Sequence, residues 1–419
     1  MAEPAVQPPA ANDAPAADLM GKAQAIAERI AALKRDLAAA HGLTQQARGL
    51  AQQAHVREAL TRTELTVALT EALSARSQAL AQRREQAAQH YLAAAGAPVR
   101  RRHNRLSRGL DRLLASLKTP GQSLVIARSG VWRGAGRPLH DLRHMAAYAR
   151  RRANPAVSPP ALFDQAWYLA VYPDVGASRA SPLVHYLTRG AVEGRSPHPL
   201  FDPGYYRREN AAELAASGVS PLEHYVRGGA AHGRNPHPLF DIRHYVGQGP
   251  DLKAGEDPLS HYLREGWRRG LSPHPLFDPA WYRRQLPRAA ADTPPLLHYV
   301  TLGWRQGLTP HPLVDPRWYL EQNPDLAASG AEPLSHFVSV GASEGRSPSP
   351  WFDLPHYVAA RGEHLGPLVN PLTDYLEGGA WLVGEARPGF PTAAYLAASP
   401  ELVRQGLTPL EHWARQAAR

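Results

Sequence analysis

Histidine, aspartate and arginine recur through the C-terminal half at a step of about 38 residues, and each type could do chemistry. One histidine series is His185, His224, His261, His298 and His336. A second is His198, His237, His274 and His311. Imidazoles could hold a metal, but a site needs several ligands that converge, and a ladder of this step supplies about one per layer. The favoured reading is structural: ring hydrogen bonds to neighbouring backbone or to an aspartate. Asp164, Asp202, Asp241, Asp278, Asp315 and Asp353 could be general acids or metal ligands. Each stands directly before a helix, and three of the six stand before proline, so helix N-capping explains them better. Arg195, Arg234 and Arg346 each follow a glycine. They could line one face and contact a partner or an anionic ligand, although pairing with a carboxylate of the next unit is the simpler role. There is no Gly-rich phosphate loop followed by lysine, no GxSxG and no HExxH. With no cysteine either, thiolate metal sites and disulfides are excluded. No catalytic, cofactor-binding or metal-binding residue is assigned, and no cofactor is expected.

The elements that position these residues form a tandem repeat. The aspartates lie 38, 39, 37, 37 and 38 residues apart, and Pro391 opens a degenerate seventh unit 38 further on. A second mark, Pro-Leu-x-His-Tyr, keeps step at Tyr186, Tyr225, Tyr262 and Tyr299, then weakens to Phe337, Tyr375 and Trp413. Two marks in phase over seven units define an internal repeat. In the unit from Asp202, Asp202-Pro203 starts a short helix, and Phe201 with Tyr206 can form a hydrophobic staple. Ser220-Pro221 starts another helix, with Leu222, Tyr225 and Val226 on one face. Gly229 would admit a neighbouring backbone, and Gly233 would end the helix in a left-handed turn. Asn235-Pro236-His237-Pro238 is then an extended connector. One such unit cannot bury its aromatics alone; stacked units can. Trp167, Trp281, Trp318 and Tyr205 are the expected interface fillers.

The rest of the chain divides by composition. Residues 1–18 read as a disordered lead and 19–96 as a coiled-coil segment. Residues 97–160 read as a basic linker and 161–419 as the array. Leu19, Ile26, Leu33, Ala40, Ala47 and Ala54 are seven apart, with Ala23, Ile30, Leu37 and Ala51 offset by four. His41-Gly42-Leu43-Thr44 could break this helix, so one long helix and an antiparallel hairpin both remain open. A homo-oligomer through residues 19–95 is expected. From Arg100 to Arg152 there are 14 basic residues and two acids, whereas the whole chain has a net charge of +10. Leu106, Leu110, Leu113, Leu114 and Leu117 oppose Arg105, Arg108 and Arg112. A basic amphipathic helix of this kind suits a linker packed on the array or an anionic membrane surface, touched by Arg101, Arg105, Arg108 and Arg112. Without a nucleic-acid fold motif, nucleic acid is the weakest partner. Ser123–Ala127 reads as a short buried or extended piece, and Leu139–Arg151 as helix. No apolar run approaches the roughly 18 residues of a membrane span, and Met1–Ala17 lacks a secretory pattern. The expected location is cytoplasmic, or peripheral to an inner membrane.

The fullest unit reads Trp318-Tyr319-Leu320, then Asn323-Pro324-Asp325-Leu326-Ala327-Ala328-Ser329-Gly330, then Glu344-Gly345-Arg346. With Phe-Asp-Pro and Pro-Leu-x-His-Tyr it resembles a repeat found beside the catalytic domain of bacterial surface-polysaccharide, rhamnan-synthesis-like glycosyltransferases. Ile126–Gly134 is similar to the lead-in to such arrays. The resemblance covers roughly residues 120–419 and implies a pathway context. The chain holds no Asp-x-Asp metal motif, so no transferase residue carries over. The fold class expected is all-α, a coiled-coil-like helix or hairpin followed by tandem helical repeats. The function expected is a non-catalytic scaffold or adaptor for glycan-assembly glycosyltransferases. A carbohydrate- or lipid-carrier-binding module, or a glycosyltransferase subunit without its catalytic domain, is the alternative.

Overall fold

The computed structural model describes residues 14–94, 110, 113–114, 119–132, 138–151, 160–177, 180–366 and 369–417. The fold is all-α, and its extended pairings are isolated bridges inside the connectors, such as His198 with Phe201. The chain forms two compact units, one up to Ala68 and one from Leu69 onward.

Helix α1 spans Ala14–Ala94 without interruption. Gly42 does not break it. Thr44 turns its hydroxyl back to the Ala40 carbonyl at 2.8 Å, satisfying it inside the helix instead of capping a new one. The hairpin alternative is thereby removed, and the helix already includes Ala14–Asp18 of the stretch read as a disordered lead. In the first unit Ile30, Leu33, Leu37, Leu43, Leu50, Val56, Leu60 and Leu65 are all exposed.

The second unit begins with the rest of α1, where Leu73 and Ala88 are buried. Within residues 19–95, the part beyond Leu69 packs on its own chain. Arg84 lies against Gly247 and faces Glu377, and Glu85 pairs with Arg243 at 2.9 Å. Helices α2 (Thr119–Ser129) and α3 (Pro138–Arg151) follow. Ser123–Ala127 is thus helical, with Val125 and Ile126 buried. No described helix is long and apolar enough to cross a membrane.

Seven units then stack. Each aspartate caps its first helix: Asp164 accepts from Trp167 N at 3.0 Å, and Asp278 accepts from Ala280 and Trp281 N at 2.9 Å. The staple forms, with the Phe201 and Tyr206 rings 5.5 Å apart. Connectors line up, since Asp202 N donates to Pro236 O and Asp278 N to Pro310 O, both at 2.9 Å. The largest fully buried side chains are all tyrosines. This corrects the expectation for Trp167, Trp281, Trp318 and Tyr205, which are only half-buried. The staple explains the difference: it turns the fourth helical residue (Tyr168, Tyr206, Tyr282 or Tyr319) into the core and leaves the third at the rim.

A second tyrosine ties unit to unit, and Tyr148 of α3 ties that helix to the first unit in the same way. The Tyr148 hydroxyl accepts from Leu183 N at 3.0 Å, Tyr262 from Leu296 N at 3.2 Å and Tyr375 from Leu410 N at 2.9 Å. Tyr225 donates instead to the next cap, Asp257, at 3.1 Å. Each bond satisfies an orphan donor or a capping acceptor at a helix start. Units further apart also meet, because Arg415 of the last helix pairs with Asp278.

Candidate functional site

The histidine-rich half of each unit is a closed polar core. His185, His224, His261, His298 and His336 each hold Nδ1 against a first-helix tyrosine hydroxyl, at 3.2, 2.9, 2.7, 2.8 and 3.1 Å. The partners are Tyr168, Tyr206, Tyr245, Tyr282 and Tyr319. In unit six Asp374 replaces histidine and accepts from Tyr357. Burial pushes these phenols up and these imidazoles down, so the tyrosines stay protonated and the histidines neutral. Such a pair can hold a helix at a fixed distance; it offers no phenolate nucleophile.

The connector histidines close their own turns. Nδ1 of His198, His237, His274 and His311 accepts the backbone N–H two residues on, at 3.0, 3.1, 3.1 and 3.2 Å. The backbone role expected of histidine is found here. In the other series the partner is tyrosine, not aspartate; each aspartate spends Oδ1 on its own helix start. Among the described residues no three His, Asp or Glu side chains gather as metal ligands would.

The first glycine of each pair has a purpose that its spacing alone did not reveal. A Cβ on Gly190, Gly229, Gly266, Gly303 or Gly341 would overlap the hydroxyl of the tyrosine that reaches its histidine. The close approach is made by a side chain, not by a neighbouring backbone. Just before it the second helix widens into one π-helical turn, as at Tyr262–Gly266 and Tyr299–Gly303. The second glycine is left-handed as expected, with φ of 81° at Gly194 and 73° at Gly307.

Arg195, Arg234 and Arg346 are neutralised inside their own units, a correction to the pairing expected with the next unit. Arg195 forks onto Asp174 with two bonds of 2.8 Å, holds Glu193 at 2.7 Å and lies 4.9 Å from the Tyr172 ring. Arg346 repeats this with Asp325 and Glu344, and Arg234 takes Glu213. The reason is geometric. The short third helix supplies its carboxylate 21 residues upstream and folds back beside the glycine turn of the same unit. Arg195 and Arg346 thus each hold two carboxylates, whereas Arg234 holds one and keeps a partly exposed side chain. Arg101, Arg105, Arg108 and Arg112, proposed to touch a membrane surface, lie outside the described residues.

Two features escaped the sequence reading. One is a groove of about 630 Å³ lined by Trp281, Arg284, Gln285, Asp315, Trp351 and Arg415 among others. It exists because the last helix returns to the fourth unit, a contact 137 residues apart that no local pattern announces. The other is a pair of loops, Gly266-Trp267-Arg268-Arg269-Gly270 and Gly303-Trp304-Arg305-Gln306-Gly307. Units one, two and five carry alanine after the first glycine; units three and four carry tryptophan then arginine. That switch was the available signal. Comparison with protein-family models, curated proteins and solved structures finds no match.

Proposed function

We propose that this chain is a non-catalytic scaffold or adaptor that acts through protein–protein contacts. The observation that carries the reading is the exposed apolar content of α1 before Leu69: nine large aliphatic side chains, Val67 included, stand in solvent on one unbroken helix. A helix of that composition draws most of its stability from a packing partner. The array supports the same reading, since its repeated histidines, aspartates and tyrosines are consumed in holding the units together. The partner helix is a second copy of this chain, and the partner proteins are glycan-assembly glycosyltransferases. The pathway context rests on the resemblance of the repeat to those found beside such enzymes. A position in the cytoplasm, at or near the inner membrane, belongs to the same proposal.

Two measurements test it. Light scattering on the full chain should give a mass above the monomer, and Leu33→Asp with Leu37→Asp should return it to the monomer. A monomer from the unaltered chain would overturn the self-association. Pull-down from its own cells, with and without residues 19–68, should recover glycan-assembly enzymes only with the helix present. Release of nucleotide from a sugar donor by the pure protein would overturn the non-catalytic part. The groove beside Trp281 and Trp351 favours a second reading, a carbohydrate-binding module. Quenching of indole fluorescence by oligosaccharides, abolished by Trp351→Ala, would select it.

A further inference from the structure

The two Gly-Trp-Arg loops present arginines in a way the other units do not. Trp267 and Trp304 are buried, at 4 % and 8 % exposure, so each ring is a fixed plate at the rim. Arg268 lies 4.3 Å from the Trp267 ring and Arg305 4.2 Å from the Trp304 ring. Each is held a second time from behind: Arg268 donates to Arg264 O at 3.0 Å, and Arg305 donates to Thr301 O at 3.2 Å. The remaining N–H groups face solvent, since both residues are exposed. Arg269 is exposed beside Arg268. From the following units Arg283 donates to the Trp267 carbonyl, and Arg317 donates to the Gln306 carbonyl at 2.8 Å.

Among the described residues none of these five guanidiniums has a carboxylate partner. The ion pairs of the same stretch go to Arg264, with Glu256 and Glu265, and to Asp278, with Arg415. From Tyr262 to Tyr319 the chain carries eight arginines against four acids. Two of the four, Asp278 and Asp315, are helix caps. This is a local excess of positive charge that the fold leaves unneutralised.

We propose that this face, built on Arg268, Arg269 and Arg305, docks an acidic segment of a partner protein, a run of aspartate and glutamate side chains. A guanidinium stacked on a plate has already lost much of its rotamer freedom and offers parallel N–H donors that match a carboxylate. Two such plates, one per unit, suit an acidic run that spans a repeat step. Nucleic acid fits less well, because the indoles are buried and leave no face on which a base could stack. A bilayer fits less well, because Leu302 is the one large apolar side chain exposed between the two loops. The inference deepens the adaptor reading by giving the chemistry of one partner surface.

The test uses the full chain and a fluorescent polyglutamate peptide, read by anisotropy. Binding should weaken by roughly tenfold in Arg268→Ala/Arg305→Ala, and should fall as salt is raised. Arg195→Ala/Arg346→Ala removes the same charge at sealed sites and should leave binding unchanged; this separates the face from the basic band of residues 100–152. Both variants should still unfold cooperatively, with Tm within a few degrees of the unaltered chain. Equal binding by the two double variants would overturn the proposal. So would tighter binding of single-stranded DNA, or of phosphatidylserine vesicles, than of polyglutamate. Loss of polyglutamate binding with self-association intact would remove this face alone, not the oligomerising helix.

Discussion

The interior of the repeats and their rim use the same residue types to opposite ends. Inside, tyrosine, histidine and glycine meet in nearly every unit, and the substitution in unit six, Asp374 for histidine, keeps the same bond to tyrosine. At the rim the units diverge. Arg195 and Arg346 are locked to carboxylates, whereas Arg268 and Arg305 are spread on indoles and form no ion pair among the described residues. A buried polar group that loses its partner costs stability at once, so the interior can vary only by exchanging one satisfied pair for another. An exposed arginine contributes little to folding, so the rim is free to carry what distinguishes one unit from the next.

Acid should give the largest effect, and it should act on the interior alone. Burial pushes His198, His237 and His274 down to about 4. The unfolded chain, with imidazoles near 6.5, then takes up protons before the folded one does. Stability is therefore complete above about pH 6.5 and is lost as pH falls toward 4, by about 2 kcal/mol per histidine at pH 5. Calorimetry from pH 7 to pH 4.5 should show a steep fall in Tm. A flat profile would mean that these rings are not buried neutral.

Gly303→Ala should follow. Its methyl group would occupy the place of the Tyr282 hydroxyl, so the tyrosine must leave His298. Overpacking and a lost bond together should cost about 3 kcal/mol by denaturant unfolding. A milder change, Tyr282→Phe, keeps the ring and strands only the His298 nitrogen, at about 1–2 kcal/mol. If the two variants proved equal, the glycine would not be reserved for the hydroxyl.

Rim substitutions should move stability least. Arg346→Ala breaks a forked pair with an exposed Asp325 and should lower Tm by a few degrees at most. Arg305→Ala should leave Tm unchanged, because no carboxylate is released. A drop in Tm larger than that of Tyr282→Phe would place Arg305 with the interior and end the contrast.

Much of the architecture was legible in order along the chain. Asp-Pro and Ser-Pro pairs announce helix starts because capping is a local event, decided within three residues. The glycine that ends each second helix is legible for the same reason, since its left-handed φ answers a demand of its own backbone. Even the staple could be read, and it implied which of two adjacent aromatics turns inward, although the bulkier tryptophans drew the first assignment.

What the sequence by itself determined was therefore periodic and local: an all-α chain, the length of its unit, and the caps and turns that punctuate it. Partnerships across 16 to 137 residues were decided only by the tertiary structure. Tyrosine chose histidine, Arg195 chose Asp174, and the last helix came back to Asp278. The first two depend on how the helices of one unit fold back on each other, and the last on how far each unit rotates against its neighbour. That angle is the sum of many small packing contacts, and no single residue encodes it.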